Sequence, residues 1–205
     1  MPFLRADGKA ALSRAIVAFE ARTAAELVIV VEPRAGHYLH VPLAFASLTA
    51  VAVLAFLLYG EPSFALHWFI IDPVVAGLAV AYLASSWSPL ERLVTPAAQR
   101  ERWVLRAARA AFVARHVADT RARTGVLLYI AVSERRAIVL ADLGVRTTIP
   151  AAAWATATAT IDQAVAGGEP ASALTPHIAA LAELCAQHLP RQDDDQNELS
   201  DEVDS

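Results

Sequence analysis

Residues 41–59 read VPLAFASLTAVAVLAFLLY, nineteen positions without a charge, and residues 68–89 read WFIIDPVVAGLAVAYLASSWSP, with Asp72 as their single ionisable group. As helices rising about 1.5 Å per residue, either run is long enough for the ~30 Å hydrocarbon core of a bilayer. The competing reading is a buried helical hairpin in a soluble protein. It needs other chain to cover about fifty apolar residues, and a 205-residue chain has little to spare once its own core is built. A two-helix transmembrane hairpin is therefore expected over residues 36–91, with spans at about 41–59 and 70–89.

Tyr38, Tyr59, Trp68, Tyr82 and Trp87 stand near the expected boundaries, where rings with one polar edge suit the headgroup level. The eight residues between the runs, around Gly60-Glu61-Pro62, allow only a tight reversal, so both hydrophilic flanks lie on one side. That loop has no Lys or Arg, whereas Arg22, Arg34, Arg92, Arg100, Arg102 and Arg106 lie within about 20 residues of the outer ends, which predicts cytoplasmic flanks. Asp72-Pro73 is read as the start of the second helix, Asp as cap and Pro in the first turn. A functional intramembrane carboxylate is the alternative.

Outward from the hairpin, the chain reads as one α/β unit in two pieces, residues 1–35 and 92–168, followed by a helix over 169–189. Residues 4–22 give an amphipathic helix with Leu12, Ile16 and Phe19 on one face and Asp7 near its start. ELVIVVE (26–32) has five consecutive aliphatics, the pattern of a buried central strand. Residues 96–122 form a helix with Val104, Ala108, Ala111, Phe112 and Val117 on its packing face. VLLYIAV (126–132) and AIVLA (137–141) pair as a hairpin about Ser133-Glu134-Arg135-Arg136. Helices follow over 150–165, carrying Trp154, Ile161 and Val165 and closed by Gly167-Gly168, and over 174–189, with Thr175 as cap.

Charge is uneven. Hydrophobic residues make up 56% and charged ones 19%, a balance shifted towards membrane proteins. Between positions 91 and 123, eight arginines face three acids, net +5. Beside a membrane such a helix suits anionic lipid headgroups, each basic residue contributing about 1 kcal/mol; nucleic acid is not expected as a partner. Residues 190–205 hold seven acids and one arginine, net −6, and are expected to be a disordered tail. The rest of the chain carries 16 basic and 14 acidic groups, so the formal −4 belongs to the tail. No signal-peptide pattern opens the sequence, and the lone Cys185 excludes an intrachain disulfide.

The order of these elements resembles the TPM domain family. The resemblance covers roughly residues 4–168 with the hairpin excised, and its most specific part is RTGVLLYIAVSERRAIVLADLGV (123–145): a Gly-initiated strand, a Ser-x-Arg-Arg turn, a return strand and an Asp-x-Gly exit. It implies a small mixed-sheet α/β sandwich with helices on both faces. It also implies, from members of the family, acid phosphatase activity, calcium binding by acids at one end of the sheet, or service in the assembly of membrane complexes. The chain begins almost at the first helix, without the Asp-bearing extended segment usual in the family. That leaves Glu134 and Asp142 as candidate metal ligands, with no nucleophile, phosphate loop or metal cluster beside them. His37 and His40 are a lone pair that would share a helical face.

The expectation is a multi-pass protein of the bacterial inner membrane, without a cofactor, whose TPM-like cytoplasmic domain binds or assembles an unknown membrane protein partner. A calcium-dependent, metal-assisted phosphatase using Glu134 and Asp142 is the alternative. A transporter component built around Asp72 is a third reading.

Overall fold

The structure is a computed structural model, and it describes residues 3, 6–60, 64–86, 92–191, 199 and 203. Two compact units emerge, one from residues 1–35 with 101–205 and the other from residues 36–100. The second unit's borders, 36 and 100, compare with 36 and 91 for the expected hairpin segment.

The first unit is a mixed α/β fold around a three-stranded sheet. Strand β1 (Glu26–Glu32) runs parallel to β2 (Gly125–Ala131), which pairs antiparallel with β3 (Arg136–Ala141). Leu27 lies beside Val126, and Leu128 beside Val139. Side chains alternate across a strand, so an unbroken aliphatic run needs cover on both faces. Leu27, Ile29 and Val31 with Val126, Leu128 and Ile130 form one face, and Val28 and Val30 with Leu127, Tyr129 and Ala131 form the other.

The first face is covered by three helices. These are α1 (Ala6–Glu20) with Leu12, Ile16 and Phe19, and a helix over Ala151–Gly167 with Ile161 and Val165. The third, over Thr175–His188, carries Ile178, Leu181 and Cys185. The second face takes Val104 and Ala108 of the helix over Ala97–Ala114, with Val117 just beyond it. In chain order the helices are α1, α2 (His40–Tyr59), α3 (Trp68–Ser85), α4 (Ala97–Ala114), α5 (Leu143–Thr148), α6 (Ala151–Gly167) and α7 (Thr175–His188), with a 3₁₀ turn at Ala171–Leu174. Each fully buried Leu or Ile contributes about 1.5–3 kcal/mol, so the two faces together supply the driving force for this sandwich.

Several expectations change. Among the described residues β1, expected as a central strand, is an edge strand of the sheet, and β2 is the middle one. Burial misleads here because β1 is covered on both faces by helices. α4 ends at Ala114, eight residues before the expected end, because His116 takes a left-handed backbone with φ 55° and reverses the chain. Thr175 is the first residue of α7 and does not cap it; its Oγ1 donates to the Ser172 carbonyl of the preceding 3₁₀ turn.

In the second unit, α2 and α3 pack antiparallel: Phe56 lies by Phe64, with ring centroids 6.3 Å apart, and Gly77 by Ala46 and Ala50. A Cβ on Gly77 would stand 3.1 Å from the Ala46 carbonyl oxygen, so the glycine sets how closely the helices approach. α3 starts at Trp68, and Asp72-Pro73 lies inside it, which overturns the cap at Asp72. The residues ahead of the proline close their own turn, with the Ile71 N–H donating to the His67 carbonyl. The central part of the expected reversal (61–63), the end of the expected second span, Trp87, and most of the acidic tail lie outside the described residues.

Candidate functional site

The sheet has two polar ends. At the carboxyl ends of β1 and β2, Tyr129 Oη donates to Glu32 Oε2 at 2.8 Å, and the Ala35 N–H donates to Glu134 Oε1 at 3.0 Å. Glu134 is 1% exposed in the β2–β3 turn, which closes with Arg135 at φ 50°. Burial, reinforced by the hydrogen bond to Glu32 and the charges of Glu32 and Glu134, holds the Tyr129 phenol well above its ordinary pKa. Tyr129 is therefore a permanent donor, and the cluster ties the exit of β1 to the hairpin. Beside it, Asp162 of α6 accepts from Arg136 Nε at 3.1 Å and from the Ala137 N–H at 2.9 Å, anchoring the start of β3.

At the opposite end, Asp142 caps α5. Its Oδ1 accepts from the Leu143 N–H at 2.7 Å and from Arg123 Nη2 at 3.1 Å, while Oδ2 lies 2.7 Å from Arg123 Nε. The two groups form an ion pair in which the Arg123 Nη2–H donates to Oδ1. The same knot explains the two glycines of the motif. A Cβ on Gly125 would fall 1.9 Å from the Val117 carbonyl oxygen, and one on Gly144 2.4 Å from that of Ala122. The Gly144 N–H donates to the Arg123 carbonyl at 2.8 Å, and the Asp142 N–H to the Gly125 carbonyl at 2.9 Å. Thr-Gly and Asp-x-Gly, far apart along the hairpin, meet here as one backbone crossing.

Glu134 and Asp142 thus lie beyond opposite ends of the six-residue strand β3, which at about 3.3 Å per residue separates them by roughly 20 Å. They do not share a metal ion. Sequence reasoning placed both at one sheet end because it located them by their distance from the turn and not by strand direction. Among the described residues no group of three or more His, Cys, Asp or Glu is placed to hold a metal. His37 and His40 also fail to pair on a helix, since α2 starts at His40; His40 Nε2 instead lies 3.5 Å from Thr95 Oγ1. Cys185 is fully buried, and burial pushes its thiol up to about 12, which makes it inert.

Two surfaces remain. On α4, Arg102, Arg106 and Arg109 are exposed at helical spacing with Val113, which is 74% exposed, while Val104 and Ala108 face the sheet. In the second unit, α2 and α3 have mean hydropathies of 2.4 and 1.7, yet only 11% and 17% of their apolar windows are buried. Each gives the other a narrow stripe: Val41 and Leu57 on α2, and Pro73, Gly77 and Ala84 on α3. Leu43, Leu48, Val51, Phe56, Leu58, Ile70, Val74, Val75, Leu78 and Leu83 face outward. Of the expected boundary rings, Tyr59, Trp68 and Tyr82 are exposed and Tyr38 is buried.

No family model matches the chain, and no curated protein matches it. A solved structure does. The NMR structure of BA42 protein from the psychrophilic bacteria Bizionia argentinensis superposes with a TM-score of 0.60 at 17% identity, covering 98% of this chain and 94% of that one. At that identity the likeness shows a fold. The fold is mixed α/β.

Proposed function

We propose that this chain is a multi-pass protein of the bacterial inner membrane in which α2 and α3 form a transmembrane hairpin. In this reading the hairpin interrupts a TPM-like cytoplasmic domain that binds or assembles a membrane protein partner without catalysing a reaction. The observation that carries it is the contrast within the second unit: helices apolar on all sides that bury only one stripe each. At about 25 cal/mol per Å² of apolar surface, leaving the outward side chains in water is far costlier than placing them in lipid.

The arginine stripe fits the same reading. Eleven residues separate α3 from α4 along the chain, and anionic headgroups are the complementary partner for Arg102, Arg106 and Arg109. The arginine counts around the hairpin favour the cytoplasmic side.

The test is topology. A single Cys placed in the 60–67 loop, in a Cys185→Ser background, should react with a membrane-impermeant maleimide in intact cells, and a Cys at the C-terminus should not. The reverse pattern overturns the orientation. Release of the chain from membranes by carbonate wash overturns the spans.

A further inference from the structure

Asp72 is the single ionisable group of the two apolar runs, and it has no role as a helix cap, because α3 begins four residues earlier at Trp68. Where it stands follows from the packing of the hairpin. Gly77 lies against Ala46 and Ala50, so its level on α2 is near Leu48. Asp72 precedes Gly77 by five residues, which in an antiparallel pair puts it level with Val53, six residues before α2 ends at Tyr59. At about 1.5 Å per residue that is roughly 9 Å inside the end of a helix about 30 Å long. α3, about 27 Å long at the same rise, cannot lift Asp72 to the surface without drawing Ser85 and Ser86 into hydrocarbon.

At that depth a carboxylate is costly unless it is paired. Among the described residues nothing hydrogen-bonds to Asp72 or pairs with its charge. Its neighbour Pro73 is buried in the seam with α2, whereas Asp72 is half-buried and shares a helical face with Trp68 and Val75, 42% and 59% exposed. That face is open to a helix approaching from the side. Pro73 adds a second acceptor. It has no N–H, so the Phe69 carbonyl, on the turn that carries Asp72, lacks the donor that an α-helix otherwise gives it.

We propose that Asp72 docks a transmembrane helix of another protein through an arginine or lysine at the same depth. The proposal rests on the membrane reading of α2 and α3 given above. Charge complementarity selects the partner. A second copy of this chain brings a second Asp72 and no cation, because residues 41–59 are uncharged and Asp72 is the only ionisable group of 68–89. A basic side chain from a different protein neutralises the carboxylate and has N–H groups to spare for the Phe69 carbonyl. In hydrocarbon, where water does not compete, such a pair sets both the choice of partner and its register along the hairpin.

The experiment uses the full-length chain in phosphatidylcholine vesicles, with a donor fluorophore on Ala65→Cys in a Cys185→Ser background. Three acceptor-labelled synthetic helices of about 20 apolar residues are added, alike except for one position about six residues from an end, which holds Leu, Arg or Glu. Energy transfer should reach its half-maximum at an about tenfold lower peptide-to-lipid ratio for the Arg helix than for the other two. Asp72→Leu should remove this preference, and Asp72→Asn most of it. Equal transfer from the three helices overturns the proposal, as does an Arg preference unchanged in Asp72→Leu. Transfer between donor- and acceptor-labelled copies of the chain itself, lost in Asp72→Leu, assigns the site to a second copy and overturns the choice of partner. A polarity-sensitive fluorophore on Leu78→Cys in the same background reads the span separately. A water-like spectrum overturns the transmembrane reading and this proposal together, whereas an apolar spectrum with equal transfer from the three helices overturns the proposal alone.

Discussion

Replacing Asp142 separates a structural carboxylate from a catalytic one. Its side chain does two things in the structure: it caps α5 through the Leu143 N–H, and it pairs with Arg123. Loss of a cap costs about 1 kcal/mol, and Asn caps nearly as well as Asp. The Arg123 side chain is 55% exposed, so the ion pair is discounted for solvent to about 0.2–1 kcal/mol even though Asp142 itself is 7% exposed. Asp142→Ala should therefore cost about 1.2–2 kcal/mol and Asp142→Asn no more than about 1. In a double-mutant cycle with Arg123→Ala, the coupling should be about 0.2–1 kcal/mol and should vanish in the Asn background. Exchange of the β2 amides, 126–131, measured on the full chain in detergent, reports these differences as global opening free energies. If Asn costs as much as Ala and neither couples to Arg123, the knot is not what holds Asp142. If the parent hydrolyses an aryl phosphate and Asp142→Asn abolishes this at unchanged stability, the carboxylate is catalytic and the structural reasoning fails.

Three further outcomes follow from individual contacts. Gly125→Ala forces a Cβ to within 1.9 Å of a main-chain oxygen that cannot swing aside, so the variant should fail to accumulate as folded protein; a normal thermal transition would refute the close approach. Gly77→Leu drives a side chain into Ala46 and Ala50, and should abolish a disulfide engineered between Cys residues placed at Phe56 and Phe64 in the Cys185→Ser background, where the parent forms it readily. Alkaline stability should depend on Cys185. Its folded pKa, about 12, lies above the reference 9.0, so its contribution is intact below about pH 9 and drains away as pH rises towards 12, by at most about 4 kcal/mol. Cys185→Ala should lose less stability than the parent between pH 9 and 11; parallel curves would refute this.

The two apolar runs, the three strands and the packing faces of α1, α4, α6 and α7 were legible in the sequence because each rests on local periodicity. Leu12, Ile16 and Phe19 recur at helical spacing, and the runs 27–31 and 126–131 have no polar position to turn outward. A buried strand is aliphatic whether it lies in the middle of a sheet or at an edge covered on both faces by helices. The sequence therefore could not place β1 at the edge. Nor could it separate Glu134 from Asp142, since which end of a sheet a residue occupies depends on strand direction.

Local sequence also determined the net charges of opposite sign on the 91–123 segment and the tail. Tertiary structure alone decided what the motif residues do. Gly125, Gly144, Arg123 and Asp142 form one crossing because two backbone segments, brought together by parallel pairing of β1 with β2 and the return of β3, approach too closely for a Cβ. It also decided the fate of Leu199 and Val203, two apolar residues in an acidic tail, whose partners lie on opposite faces of a sheet assembled from chain far from them in sequence.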